Sequence, residues 1–248
     1  MSEDILRRHQ AVWKQKPILR RLYTSWYRQI AMWLQPGRTL EVGGGTGNLK
    51  EFCPQVVCTD LVRVPWLDAL VDAQHLPFRS RSLSNIVLFD VLHHLENVRY
   101  FFDEALRVLS PSGRIVIMDP YVSVLSWPVY RFFHPEPMDF GHDPLSIAPT
   151  VQRRPFDANQ AIARIVFERS YDRFQQLYPH LRKLAHERLA YFVYPLSGGF
   201  DRRSFLPMWS IDTLLRFEQR CRYFGRLLAF RLLVVLEKHH LPNHILKA

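Results

Sequence analysis

Thr39-Leu40-Glu41-Val42-Gly43-Gly44-Gly45-Thr46-Gly47-Asn48 decides how the rest of the chain is read. A short apolar run with one acidic residue passes into glycines at 43, 44, 45 and 47, ahead of a stretch that reads as a helix from Thr46. A strand entering a glycine turn brings backbone close to a ligand, because a Cβ at those positions would collide with it. The helix that follows would offer free N–H groups and a positive dipole end. A dinucleotide-binding turn needs G-x-G-x-x-G. With Gly43 and Gly45 as its first glycines the third position is Asn48; with Gly45 and Gly47 it is Lys50. Neither register fits a pyrophosphate turn. What stands here is acidic-x-Gly-x-Gly-x-Gly, through Glu41, Gly43, Gly45 and Gly47.

Outward from this segment, strand and helix signals alternate. Strands are predicted over Arg38–Val42, Val56–Asp60, a short Ala69–Val71, Asn85–Phe89 and Arg114–Met118, with a helix over Val98–Leu109 and a turn at Ser110–Gly113. Such alternation implies a parallel sheet with right-handed crossovers. One crossover is abbreviated: the eleven residues between Asp60 and Asp72 are too few for a regular helix plus a normal strand. Before the motif, Leu19, Leu22, Tyr23, Trp26, Tyr27, Ile30, Trp33 and Leu34 recur at helical spacing, ended by Pro36-Gly37. After Pro120 the chain is rich in Pro, aromatics and His without a clean period. Asp157 with Gln160 forms a capping box for a helix through Arg169. Leu189–Leu196 reads as a strand, Ile211–Tyr223 as a helix and Leu227–Glu237 as a long buried strand.

The 248 residues suit one α/β domain, and 48% apolar residues can build a full core. Three cysteines (Cys53, Cys58, Cys221) at irregular spacing fit neither a disulfide framework nor a zinc site, and suit reduced thiols in a cytoplasmic protein. No apolar run approaches the length of a signal peptide core or a membrane span. The net charge of +10 is uneven: +5 over residues 1–34, −4 over 35–149 and +9 over 150–248. Basic flanks around an acidic core suggest an anionic partner or simply a solvated basic surface.

The ordered series resembles the class I S-adenosylmethionine-dependent methyltransferases, in particular the small-molecule branch called type 11. It comprises the glycine motif, Asp60 closing a strand, Asp72-Ala73 before Leu76-Pro77-Phe78, Asn85 through Leu95, and Arg107 through Arg114. The resemblance implies a single Rossmann-like domain, with a seven-stranded, mostly parallel sheet of order 3-2-1-4-5-7-6, helices on both faces and an insertion after strand 5. Within it, residues 1–35 would be a helical cover, 36–119 the cofactor-binding core, 120–180 the lid and acceptor region, and 181–248 the closing strand-helix-strand.

For the cofactor S-adenosyl-L-methionine, the resemblance implies room for the methionine part at Gly43, Gly44, Gly45 and Gly47, with Glu41 toward its ammonium group. Asp60 and Leu61 would meet the ribose, Asp72 and Ala73 the adenine, and Asp90 the methionine end. A carboxylate suits the ribose because it only accepts hydrogen bonds. Asp90 could equally cap the next helix. Val62–Trp66 takes the place of the missing crossover as a wall, with Trp66 either packing on the adenine or serving as a core aromatic.

Methyl transfer from a sulfonium needs alignment, and an oxygen acceptor needs a base as well. His93 and His94 at the end of the fourth strand are the catalytic candidates, followed by His134 and His142; a structural role is the other reading. His134, Glu136, Asp139, His142 and Asp143 lack a known metal spacing, so no metal is expected. The expected acceptor is a small molecule or a lipid- or glycan-type compound. Trp and Tyr beside Lys and Arg in residues 5–34 raise the prospect of a helix lying on an anionic membrane, against the alternative of a helix packed on the sheet. The basic flanks raise RNA as a second acceptor class, disfavoured because no Asn/Asp-Pro-Pro-Tyr/Phe follows the fourth strand. A non-catalytic binding or scaffold protein is the third reading, which intact Glu41, Asp60 and Asp72 argue against.

Overall fold

Alternate residues of the central strands point to opposite faces of one sheet, and each face is buried under its own set of helices. The structure, a computed structural model, describes residues 3–147 and 158–239. Its strands are β1 (Thr39–Val42), β2 (Val57–Asp60), β3 (Ala69–Leu70), β4 (Leu83–Phe89), β5 (Leu109–Pro120), β6 (Leu181–Leu189) and β7 (Arg231–Lys238). They form a seven-stranded sheet of order β3-β2-β1-β4-β5-β7-β6, the order expected from the sequence. The first five strands are parallel; β7 runs antiparallel between β5 and β6.

Ile86 and Leu88 of β4, Ile115 and Ile117 of β5, and Leu232 and Val234 of β7 point into one core. Helix α3 (Val98–Val108) covers it with Phe101, Phe102 and Ala105. Asn97 starts α3 by accepting the backbone N–H of Arg99 at 3.0 Å. The intervening Val87, Phe89, Val116, Met118, Leu233 and Val235 face a second core under helices α1 (Glu3–Gln15) and α2 (Pro17–Met32). Leu19, Leu22, Trp26 and Ile30 of α2 are buried there, and Tyr23 stacks on Phe89 at 5.5 Å between ring centroids. The aromatic face that suggested a membrane-lying helix is therefore spent on the sheet, because that face is the core stripe of an amphipathic helix.

Four expectations are corrected, the first being that the strand expected from Leu227 starts at Arg231, after a helical turn over Gly225–Leu228. No α-helix follows the glycine motif: one 3₁₀ turn, Asn48–Glu51, stands where a helix from Thr46 was expected. The link from β2 to β3 also contains no helix, as its length foretold. The strand expected at Leu189–Leu196 lies earlier, at Leu181–Leu189, followed by the short helix α7 (Val193–Ser197). A register shift between Lys183 and Ala185 interrupts the alternation in β6, and charged residues typical of an edge strand mask the rest. The expected turn at Ser110–Gly113 bulges within β5, where the register jumps from Leu109 to Arg114 and Ser112 takes φ 60°.

Among the remaining elements, α4 (Ser126–Phe133) follows β5, and α5 (Ile162–Arg164) runs on as a π-helical turn over Ile165–Arg169. The capping residue expected for that helix, Asp157, lies outside the described residues. Helices α6 (Tyr171–Leu177), α8 (Ile211–Arg220) and α9 (Gly225–Leu228) complete the fold. Among the described residues no helix is long and apolar enough to cross a membrane.

Candidate active site

The glycine turn caps β1 with three residues in left-handed backbone: Gly43 at φ 63°, Gly45 at φ 48° and Gly47 at φ 72°. At Gly43 the geometry admits no side chain, since an added Cβ would sit 2.4 Å from Val91 Cγ2. The turn is tied to β2 by Gly44 N–H to Thr59 O at 2.8 Å and by Gly45 N–H to Asp60 Oδ2 at 3.0 Å. Asp60 Oδ1 accepts the N–H of Val62 at 3.0 Å, so its carboxylate spans the gap between the first two strand tips. Each oxygen keeps acceptor capacity beyond that one bond. Leu61 beside it is exposed.

Glu41 lies beneath the turn, buried, and accepts a hydrogen bond from Cys58 Sγ at 2.9 Å. Burial pushes its pKa up to about 7; the Cys58 bond and Lys50 oppose the rise, and Asp60 adds to it. Trp66 Nε1 donates to Gly45 O at 2.8 Å, and the Arg7 guanidinium stands 5.6 Å from the centre of its ring. Trp66 is half-buried over the turn and is not part of the deep core. Helix α1 closes the same region, with Leu6 buried and its Cδ2 3.6 Å from an ideal Cβ on Gly45. The N-terminal helices thus occupy the side on which a helix after β1 was expected.

Asp72 turns back on its own loop, accepting Gln74 N–H at 2.8 Å and meeting His75 Nδ1 at 3.2 Å. Ala73 is buried next to it. Asp90, at the tip of β4 with φ 59°, does not cap the 3₁₀ turn that follows. Its carboxylate instead pairs with Arg231. Arg231 is buried beneath an aromatic set, its guanidinium carbon 4.7 Å from the Trp26 ring centre and 4.8 Å from that of Tyr194. Burial opposes its charge, but Asp90 holds the guanidinium pKa well above its ordinary value. No local spacing in the sequence links Arg231 to Asp90.

The two catalytic candidates meet a group the sequence did not connect to them. His93 is buried; its Nδ1 lies 3.0 Å from Asp119 Oδ1, and its Nε2 lies 3.5 Å from Glu136 Oε2. His94 Nε2 is 3.7 Å from Glu136 Oε1, and the two imidazole centroids are 4.1 Å apart. Burial works against charge on His93, but Asp119 and Glu136 outweigh it and raise its pKa to about 10. His94 moves the other way, to about 4, through burial and the charge of His93. Burial would raise Glu136, but the three histidines 93, 94 and 134 bring it down to about 2. Burial pushes the Asp119 carboxyl up, and His93 beside it opposes the rise.

Of the other residues considered as metal ligands, Asp139 caps Gly141 N–H and Asp143 pairs with Arg173; neither joins this cluster. His134 accepts the N–H of Glu136 at 3.4 Å and so shapes the turn that presents it. In the sequence Asp119 is one more polar end to an apolar strand, and nothing local marks it as a partner of His93.

A methyltransferase-domain family model matches residues 18–226. Among solved structures, an S-adenosylmethionine-dependent methyltransferase from Archaeoglobus fulgidus is similar over 88% of this chain and 94% of its own, with 15% identity and a TM-score of 0.52. The geranyl diphosphate C-methyltransferase of Streptomyces coelicolor is similar over 89% of this chain and 78% of its own, at 12% identity and a TM-score of 0.51. A Dictyostelium discoideum protein named "Probable polyketide synthase 10" is 35% identical over 48 residues, which is 19% of this chain and 2% of that relative's length. A family match across most of the chain, on a sheet with the strand order and glycine turn described above, places this protein in the methyltransferase domain family.

Proposed function

We propose that this protein methylates an amphiphilic small-molecule or lipid-type acceptor at a membrane surface. The observation that carries this reading is an exposed apolar and cationic surface running into the His93–Glu136 cluster. Val124, Trp127, Phe132 and Phe133, in and before α4, are exposed, and α4 ends at His134, two residues from Glu136. Leu125 N–H bonds to Leu227 O at 2.8 Å, which joins this face to α9, preceded by exposed Tyr223 and Phe224. Arg202 stands over the Phe133 ring at 5.5 Å, and Arg131, Arg222 and Arg226 are exposed around the same elements. Aromatic side chains interleaved with arginine suit the interface of an anionic bilayer. Contiguous exposed apolar surface of this kind marks an interaction site.

The glycine turn fits the nucleoside cofactor on two grounds. It is held open by left-handed backbone at Gly43, Gly45 and Gly47, and Asp60 at its edge keeps acceptor capacity on both oxygens. In this reading Glu41 and the turn hold the methionine part, Asp60 and Leu61 the ribose, and Asp72 and Ala73 the adenine. When bound, the cofactor supplies an electrophilic methyl group. The chain's own task is alignment: Trp66 and α1 close over the turn and exclude water, and the polar cluster beyond β4 orients the acceptor.

Flotation with phosphatidylglycerol vesicles, set against phosphatidylcholine vesicles, tests the surface. The protein should rise with the anionic vesicles, and Trp127→Ser with Phe133→Ser should leave it at the bottom. Labelled methyl groups should then partition into the organic phase of a lipid extract. Label found in RNA instead would replace this acceptor class.

A further inference from the structure

We infer that His93, His94 and Glu136 form a binding site for a divalent transition-metal ion, with one coordination position open toward the acceptor. The inference rests on where these side chains lie and is independent of how the cofactor binds. One ligand atom from each of the three residues lies within 4.8 Å of the other two. Zinc bonds of ~2.0–2.1 Å in a tetrahedral site set ligand atoms about 3.4 Å apart. His93 Nε2 lies 3.5 Å from Glu136 Oε2 and His94 Nε2 lies 3.7 Å from Glu136 Oε1, so the two imidazoles flank one carboxylate at close to that spacing.

The surroundings are those of a built site. Asp119, buried, takes His93 Nδ1 at 3.0 Å, which fixes the ring and turns Nε2 toward Glu136. Gln160 Nε2 donates to Glu136 Oε2, the oxygen that faces His93, and so holds the carboxylate in place. Pro135 and Pro137 bracket Glu136 and stiffen the segment that carries it. His93 is buried, whereas His94 and Glu136 keep about a quarter of their side-chain surface exposed, so the site opens outward on one side. Three protein ligands with an open side is the arrangement of zinc sites that accept a further oxygen ligand. An acceptor hydroxyl or carboxylate could take that position and be held beside the strand tips. The competing account is a cluster held together by protons alone.

The test uses tag-free protein stripped with EDTA and titrated with Co²⁺. Intense visible ligand-field bands saturating at one equivalent, and abolished by one equivalent of Zn²⁺, are expected. His94→Gln and Glu136→Gln should each weaken Co²⁺ binding by more than the ~10–100-fold typical of losing an outer-sphere partner. Asp119→Asn should fall within that ~10–100-fold range. S-adenosylhomocysteine affinity, measured on the same samples, should stay unchanged, so a failure of the cofactor assignment would show there and not in the cobalt bands. Circular dichroism melts without metal keep folding defects apart from lost ligands. Wild-type protein without the bands, or both ligand variants titrating like wild type, would overturn the site.

Discussion

Arg231 of β7 reaches past the end of β5 to pair with Asp90 at the tip of β4, which joins an antiparallel strand to the parallel half of the sheet. In the ladder Arg231 stands opposite Pro120, and Asp90 N–H bonds to Met118 O at 2.9 Å, so three strand ends converge on one ion pair. The guanidinium is almost fully buried, and the carboxylate keeps 33% of its side-chain surface exposed.

Replacing Arg231 with Met should therefore strand a partly buried carboxylate. The expected loss is about 3 kcal/mol, at the low end for breaking a buried pair because Asp90 keeps contact with water. Adding Asp90→Asn should recover much of it. Urea denaturation of the two single variants and the double variant measures this coupling, and strictly additive losses would refute it.

Gly43→Ala and Gly45→Ala should separate packing from ligand binding. At Gly43 the new Cβ meets Val91 Cγ2 at 2.4 Å in left-handed backbone, so folding itself should suffer by more than the ~1–2 kcal/mol of the backbone strain. At Gly45 the nearest atom is Leu6 Cδ2 at 3.6 Å, so stability should drop by only about 1–2 kcal/mol. Calorimetric titration with S-adenosylhomocysteine should nonetheless show the Gly45 variant binding at least about tenfold more weakly, a further ~1.4 kcal/mol.

Asp60→Ala should lower affinity for the same ligand by about ten- to a hundredfold, the scale of one hydrogen bond to a charged group. Because Asp60 also holds Gly45 N–H and Val62 N–H, Asp60→Asn is the informative companion. Its amide can still accept one such bond while losing the charge. Equal affinity in wild type and both variants would remove Asp60 from the ribose site.

Glu41 gives a pH signature. Its pKa is raised in the fold from 4.5 to about 7, so the unfolded chain releases the proton first. The associated stability is present below the unfolded value of 4.5 and is lost as pH rises through about 7. The span corresponds to about 3 kcal/mol. Urea midpoints measured between ~pH 4 and ~pH 8 should fall across that window, and Glu41→Gln should flatten the fall. A cationic ligand above Glu41 favours its carboxylate form, so cofactor binding near ~pH 6 should release a proton. Titrations in buffers of different ionisation enthalpy would detect that proton, and identical heats would contradict the placement.

The glycine turn was legible in the sequence, because Glu41 and the glycines belong to one strand-turn unit. Asp60 joins them only because β2 pairs with β1. The helix expected at Thr46 failed because Gly47 takes left-handed backbone and Pro54 closes the segment too soon, which leaves one 3₁₀ turn. The aromatic stripe of α2 was correctly a helix face, but spacing cannot say whether such a face meets a sheet or a membrane.

The sequence by itself determined the glycine turn, because left-handed backbone there requires glycine, and the ordered motifs carried the strand order only through their resemblance to a known family. Only the tertiary structure decided that His93 lies between Asp119 and Glu136, and that Arg231 answers Asp90. Those partners are 26, 43 and 141 positions apart. Charges that far apart in the chain are brought together by strand order and burial, and one-dimensional spacing carries no record of either.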